Sequence, residues 1–177
     1  MRTIDPNASA LLLVDFQERL MPAIHEGAAT VAAARLLLDA ARLLDIPVGF
    51  TEQNPSRLGA TLPALAPMAD EPVLHKMQFS ACGTAGLTAL PDRPALVVTG
   101  CEAHVCVLQT VLGLRDAGRA VYVVEDATGS RTAASKGAAM RRMAAHGAEI
   151  VTAEMVVFEW LGSAGHPRFR AALKLLK

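Results

Sequence analysis

Three side chains in this sequence could together carry out nucleophilic hydrolysis: a thiol, a carboxylate and an amine. Cys106 ends the segment GCEAHVC, Asp15 follows the apolar run ALLLV, and Lys76 follows the short run VLH. A carboxylate that abuts a buried segment can accept a thiol proton near neutral pH, and the thiolate can attack a carbonyl carbon. A lysine near both groups would stabilise their negative charges. The three residues are therefore candidate nucleophile, base and electrostatic partner.

Cys106 is the strongest candidate because of where it lies. The strong strand signal over 95–99 runs into the turn 100–106, and a helical pattern follows as far as Gly118. Free amides and the helix dipole at such a helix start favour a thiolate, and the same amides can bind an oxyanion. The structural alternative is a buried small apolar side chain, which is the commonest role of a free cysteine.

Asp15 and Lys76 also have structural alternatives. Asp15 could cap the next helical turn or pair with Arg19, and Lys76 could be an ordinary solvated lysine. The residues around Lys76 are mostly apolar, which predicts that its ammonium lies near the rim of the core and needs a partner. Asp15 or a thiolate could be that partner.

The elements that must position these residues alternate between short apolar runs and helical patterns. Strands are predicted at 10–14, 46–51, 73–76, 95–99, 120–124 and 149–151, and helices at 27–44, 107–118, 132–146, 154–161 and 167–177. The proline-containing stretch 52–72 predicts a long loop with at most short helical turns. This order predicts one α/β domain over 1–177, a three-layer, doubly wound, mostly parallel sheet with helices on both faces, Rossmann-like in architecture. Ligands bind such sheets at the carboxyl ends of the strands, where the three candidates lie.

Composition excludes several classes of function. The 177 residues are 52% hydrophobic and 19% charged, with formal net charge +0, so no field attracts nucleic acid or an acidic membrane. An apolar stretch typical of a signal or a membrane span is not evident, which predicts a cytoplasmic protein. Three cysteines without paired spacing predict neither a disulfide framework nor zinc, and no glycine-rich phosphate loop follows the first strand. We expect no cofactor and no metal.

The residues around the three candidates resemble signature segments of the isochorismatase-like cysteine hydrolases. The segments are LLVDFQ, which contains Asp15 and Gln17, KMQFSA, which begins at Lys76, and GCEAHVC, which ends at Cys106. Similarity extends to TEQNP at 51–55, VEDA at 124–127 with the following Ser-Arg pair, and GHPRF at 165–169. These further segments resemble the isochorismatase domain-containing proteins in particular.

The resemblance implies a catalytic triad of Asp15, Lys76 and Cys106. It further implies a non-proline cis peptide bond between Cys101 and Glu102, with the backbone N–H groups of Glu102 and Cys106 directed at one oxyanion. Gln17, Glu52 and Gln53 are expected to border the pocket and bind substrate.

Two departures from the wider superfamily narrow the expected chemistry. Nicotinamidases carry an Asp-x-His metal motif where this chain has Thr51-Glu-Gln, so metal binding and nicotinamide hydrolysis are not expected. Isochorismate hydrolases have glycine at the position of Cys106. We therefore expect hydrolysis of a small amide, carbamoyl or related carbonyl substrate through a thioester intermediate.

Other functions remain open from the sequence. The chain could be a non-catalytic ligand-binding or interaction protein of the same fold, or a thiol-based redox sensor in which Cys101 or Cys82 resolves an oxidised Cys106. The family commonly assembles and the mean hydropathy of +0.32 is high, so we also expect a homo-oligomer.

Overall fold

Six parallel strands form the centre of the structure. The structure is a computed structural model that describes residues 3–83 and 91–176. Its strands are β1 (Ser9–Val14), β2 (Val48–Gln53), β3 (Val73–Lys76), β4 (Ala95–Cys101), β5 (Ala120–Gly129) and β6 (Glu149–Val151). They pair in the order β3-β2-β1-β4-β5-β6. The predicted α/β fold is confirmed, and the order reverses between β1 and β4, where open sheets of this kind form a crevice.

Helices cover both faces of this sheet. They are α1 (Gly27–Leu43), α2 (Pro55–Leu58), α3 (Leu108–Asp116), α4 (Ala133–Ala145), α5 (Ala153–Leu161) and α6 (Phe169–Leu175). One hydrophobic cluster joins the sheet to α1 and α5, and a second joins the other face to α3 and α4. Short 3-10 turns lie at Met21–Ala23 and Pro63–Leu65, and a π-helical turn at Ala103–Val107 leads directly into α3.

Strand β1 is buried along its whole length, which explains its unbroken apolar sequence. Leu11 and Leu13 pack toward α1 and α5, whereas Leu12 and Val14 pack toward α3 and α4. A strand covered on both faces needs apolar side chains at every position rather than at alternate ones. Asp15, which follows this run, enters the same dry environment.

Strand β5 is longer than the sequence pattern predicts. The pattern ends at Val124 because Glu125 and Asp126 are polar, but the strand continues to Gly129. The two acidic residues are exposed where the register with β4 shifts between Val98 and Gly100. The bulge turns two polar residues to solvent without ending the strand. The strand continues because it pairs with β4, and that pairing cannot be seen in the sequence of β5 alone.

Gly100 allows β4 to approach β1 at the edge of the sheet. Its φ is +145°, and a Cβ built there would collide with the carbonyl oxygen of Val14. We predict that Gly100→Ala lowers the free energy of unfolding by about 3 kcal/mol or more, because unfavourable φ and overlap with backbone add together. Urea denaturation followed by circular dichroism measures this loss.

Gly118 provides a matched control for that substitution. Its φ is also positive, at +78°, but a Cβ added there would have no neighbour within 4 Å. Gly118→Ala should therefore cost only about 1 kcal/mol, the penalty of a left-handed backbone alone. Equal losses in the two variants would show that contact with Val14 does not determine the requirement for glycine at position 100.

Candidate active site

The three candidate residues are brought to one corner of the sheet. Asp15 directly follows β1 in a left-handed backbone conformation with φ 53°, Lys76 ends β3, and Cys106 lies in the π-helical turn after β4. Val14 is in register with both Thr51 on β2 and Gly100 on β4. Strand pairing therefore aligns the carboxyl ends of four strands beneath the turn that carries Cys106.

The Asp15 carboxylate is held at both oxygens. Oδ2 accepts a hydrogen bond from Lys76 Nζ at 2.6 Å, and Oδ1 accepts one from Thr51 Oγ1 at 2.5 Å. The side chain of Asp15 is fully buried and that of Lys76 is 3% exposed. Burying an ion pair this deeply costs free energy unless each charged group has hydrogen-bond partners. The short bonds from Lys76 and Thr51 provide these partners for Asp15.

Lys76 has a second partner on the segment that follows it. Its Nζ donates to the carbonyl oxygen of Phe79 at 3.0 Å. That segment is tied to α3, because the N–H of Ala81 donates to Oγ1 of Thr110 at 3.0 Å. The ammonium is therefore fixed between a carboxylate and a carbonyl whose own position depends on α3.

The thiol of Cys106 lies within reach of both charged groups. The side chain is buried, and its pKa is raised to about 12, first by burial and then by the negative charge of Asp15. Lys76 acts in the opposite direction and lowers this pKa. The expectation that the helix start favours a thiolate is therefore wrong for the resting site. At neutral pH the sulfur carries its proton, and a nearby base must remove it during attack.

The turn that carries Cys106 has an unusual backbone. The peptide bond between Cys101 and Glu102 is cis, at the position that the family resemblance implies. The Glu102 carbonyl accepts the N–H groups of Val105 at 3.0 Å and Val107 at 3.2 Å, skipping that of Cys106. This arrangement gives the turn its π-helical form.

The side chain of Glu102 anchors the same turn to the segment after β5. It is largely buried, and its Oε2 accepts hydrogen bonds from the Arg131 backbone N–H at 3.2 Å and from Arg131 Nε at 2.8 Å. Beside this pair, His104 Nδ1 lies 3.0 Å from Ser130 Oγ. Two side-chain contacts therefore hold the turn in place.

The three expected substrate-binding residues make contacts within the protein. Gln17 is fully buried, and its Nε2 donates to the carbonyls of Gln53 and Gly59 at 3.0 and 2.7 Å. Gln17 Oε1 accepts the N–H of Gln53 at 2.9 Å, while Gln53 Nε2 donates to the carbonyl of Met77 at 3.0 Å. These contacts brace the ends of β2 and β3.

Glu52 lies on the opposite face of the sheet from Thr51. Its Oε1 accepts the backbone N–H and the hydroxyl of Thr61 at 2.7 and 2.8 Å. Its Oε2 lies 3.2 Å from His75 Nε2. Glu52 therefore anchors the loop after β2, and the structure does not bring its carboxylate together with the triad.

Comparison with known proteins places this architecture in a family. A model of the isochorismatase domain matches residues 9–155, and human isochorismatase domain-containing protein 2 is 37% identical over 174 residues, covering 97% of this chain and 84% of the relative. The chain belongs to the isochorismatase family. The resemblance seen in the sequence segments is thereby confirmed.

Solved structures of isochorismatase-like proteins share the fold over nearly the whole chain. One is the MAR1 ribonuclease from Caenorhabditis elegans, 36% identical with a TM-score of 0.93, covering 98% of this chain and 92% of that one. Another is the YcaC gene product from Escherichia coli, described as an octameric hydrolase of unknown specificity. It is 25% identical with a TM-score of 0.93, and the match covers 99% of this chain and 90% of that one.

The other two cysteines of this isochorismatase-family protein lie apart from the triad. Cys101 is fully buried in the cluster with α1 and α5, on the opposite face of the sheet from Cys106, and burial raises its pKa to about 12. Cys82 is half-buried, donates its thiol to the carbonyl of Thr110 at 3.3 Å, and its pKa is also raised by burial.

Two partners of the site were not found from the sequence: the Thr51 hydroxyl on Asp15 and the Phe79 carbonyl on Lys76. Thr51 carries a usable signal, because it ends the apolar part of β2 just as Asp15 follows the apolar run of β1. Whether two such positions lie side by side in neighbouring parallel strands can be predicted only when the register is known. The Phe79 contact has no comparable signal, since a backbone carbonyl is present at every residue.

Among residues 3–83 and 91–176, no group of three or more His, Cys, Asp and Glu side chains is placed to hold a metal ion. In the same part of this family member, no helix combines the length and apolarity needed to cross a bilayer.

Proposed function

We propose that this protein is a cysteine hydrolase that cleaves a small amide, carbamoyl or related carbonyl compound through a thioester on Cys106. The observation that carries the proposal is the buried carboxylate of Asp15, which binds Lys76 at 2.6 Å. Its charge raises the pKa of the Cys106 thiol. A thiol that is protonated at rest needs such an acceptor beside it to become a nucleophile.

In the first half of the reaction, Asp15 takes the thiol proton as the sulfur of Cys106 forms a bond to the carbonyl carbon. The carbon–nitrogen bond then breaks, and the protonated Asp15 gives its proton to the departing nitrogen. Lys76 keeps its positive charge throughout and stabilises whichever of the two groups is negative. The product is an acyl group on the sulfur and a free amine.

In the second half, Asp15 takes a proton from water as the water oxygen attacks the thioester carbon. The carbon–sulfur bond breaks, the proton returns to the sulfur of Cys106, and the carboxylic or carbamic acid leaves. The carboxylate and the thiol recover their starting protonation states, so the cycle uses water alone and needs no further reagent.

The oxyanion formed in both halves requires hydrogen-bond donors. We propose the backbone N–H groups of Glu102 and Cys106 for this role. Support comes from the turn geometry, in which the Glu102 carbonyl binds the N–H groups of Val105 and Val107 and skips that of Cys106. The Arg131 contacts of the Glu102 side chain keep both donors fixed before substrate binds, which is how such groups lower a barrier.

Two observations weigh against a redox sensor in which Cys101 resolves an oxidised Cys106. Sensor cysteines are accessible and have a low pKa, whereas burial raises the pKa of Cys106 and of Cys101. The two thiols also pack into clusters on opposite faces of the sheet. Both observations favour hydrolysis by Cys106 over disulfide exchange between these residues.

RNA is a second substrate class to test, because one relative is called a ribonuclease. The formal net charge of +0 provides no overall attraction for a polyanion. A small uncharged carbonyl compound therefore fits this chain better than RNA does.

The test is a panel of primary amides, carbamates, esters and a labelled RNA, incubated with the purified protein. We expect release of amine or alcohol from at least one carbonyl compound, with an acyl mass added to the Cys106 peptide after acid quenching. Cleavage of RNA with no reaction of any carbonyl compound would overturn the proposal. A panel that leaves every compound intact, while a labelled compound binds reversibly, would favour the non-catalytic binding protein.

We also propose that the protein forms a homo-oligomer. Support comes from the octameric relative and from large apolar side chains on the surface: Met68, Met77, Phe79, Met155 and Phe158 are each at least 40% exposed. Exposed apolar area of this kind is often covered by another subunit. A monomeric mass in sedimentation velocity across micromolar concentrations would contradict this.

A further inference from the structure

We propose that Thr51 is a positioning residue, whose hydroxyl holds the Asp15 carboxylate in the orientation from which it exchanges a proton with Cys106. The inference rests on the proposed function, since the proton transfer it serves belongs to the thioester mechanism. It adds a fourth side chain to the machinery, on a strand that carries none of the triad.

Thr51 binds Asp15 through both its side chain and its main chain. The Thr51 hydroxyl donates to Asp15 Oδ1 at 2.5 Å, and the Thr51 carbonyl accepts the Asp15 N–H at 3.1 Å. Thr51 is 1% exposed, so water does not compete for these bonds. A short bond from a buried hydroxyl to a charged acceptor is among the stronger hydrogen bonds in proteins.

The carboxylate needs this second anchor because Lys76 holds only one of its oxygens. The terminal torsion of an aspartate has a broad minimum, so a single partner on Oδ2 leaves the plane of the group free to turn. With Thr51 on Oδ1 and Lys76 on Oδ2, the plane is fixed from both ends. The remaining lone pairs then keep a constant direction.

Packing alone does not explain a hydroxyl at this position. Valine has nearly the shape of threonine and suits a buried strand equally well. Its neighbour Phe50 and the start of β2 at Val48 are apolar and buried. Among the described residues, the polar atom at position 51 has Asp15 as its side-chain partner.

The experiment compares Thr51→Val, which removes only the hydroxyl, with Thr51→Ser, which keeps it. We expect Thr51→Val to lower kcat about 10- to 100-fold with KM changed less than about twofold, because a misdirected base slows chemistry more than binding. Thr51→Ser should stay within about threefold of the original kcat. Steady-state kinetics on the substrate found in the panel gives both values.

A second measurement needs no substrate, so it separates this inference from the proposed function. The charge of Asp15 opposes ionisation of Cys106, so the reactivity of the thiol depends on where the Asp15 carboxylate is held. The alkylation rate of Cys106 with iodoacetamide at pH 9 should therefore differ at least about threefold between Thr51→Val and the original protein. Thr51→Ser should react at the original rate.

Thr99→Val is the matched control, since Thr99 is also fully buried in a strand and donates its hydroxyl to the carbonyl of Ala127, away from the triad. It should lower stability while leaving kcat and the alkylation rate of Cys106 unchanged. Equal alkylation rates in Thr51→Val and the original protein would overturn the positioning role. If the original protein hydrolysed no compound of the panel while Thr51→Val showed an altered alkylation rate, the proposed function would be overturned and the positioning of Asp15 by Thr51 would stand.

Discussion

Replacing Cys106 with alanine is expected to lower kcat at least about 1,000-fold while changing the free energy of unfolding by about 1 kcal/mol or less. The sulfur forms the covalent bond in both halves of the proposed reaction, and loss of a nucleophile leaves only binding and oxyanion stabilisation. Stability changes little because alanine removes a single buried atom, the sulfur. Steady-state kinetics and urea denaturation measure the two quantities.

Cys82→Ala is the control for this substitution. Cys82 is the more exposed thiol and lies on the segment that contacts α3 rather than beside Asp15. Its removal should leave kcat within about twofold and leave the acyl mass on the Cys106 peptide. If Cys106→Ala kept more than a tenth of the original kcat, Cys106 would not be the nucleophile and the thioester mechanism would be wrong.

Replacing Lys76 with methionine is expected to lower the free energy of unfolding by about 3–5 kcal/mol, the usual cost of leaving one member of a buried ion pair alone. The Asp15 carboxylate, which is fully buried, would lose its only cationic partner among the described ion pairs. The same substitution should raise the pKa of the Cys106 thiol further, because Lys76 now lowers it. Chemical denaturation and the pH dependence of alkylation test the two parts.

A double-mutant cycle shows whether the two charges are coupled. With Asp15→Asn added to Lys76→Met, the loss of stability should be well below the sum of the two single losses, because no charge is then left unpaired. Asp39→Asn is the exposed counterpart, since it breaks the ion pair with Arg35 at 2.7 Å, and should cost less than about 1 kcal/mol. Additive losses in the cycle, or a cost for Lys76→Met as small as that of Asp39→Asn, would contradict a coupled buried pair.

Much of the fold could be predicted because its signals are local. β1 is an unbroken apolar run since helices cover both of its sides, and α1 has a broad apolar face since it packs on the sheet and on neighbouring helices. The extent of β5 could not be predicted in this way. Glu125 and Asp126 resemble a strand end, and only pairing with β4 carries the chain through them to Gly129.

The candidate site was predictable in its members but not in its electrostatics. Asp15, Lys76 and Cys106 end or follow apolar segments, and the carboxyl edge of a parallel sheet gathers such positions. The protonation state of the thiol depends on burial by packed neighbours and on the charge of Asp15, which is 91 residues away in the chain. A rule based on the start of one helix missed both effects and predicted the wrong direction for the pKa.

The sequence by itself determined the kind of fold, the family and the three side chains that could react, because periodicity and motif spacing are properties of neighbouring residues. Tertiary structure alone decided that Thr51 meets Asp15, that Glu52 faces away from the triad and that the Cys106 thiol keeps its proton at rest. These outcomes depend on strand register and on how much water packing excludes, and both are set by contacts between segments that are distant in the chain.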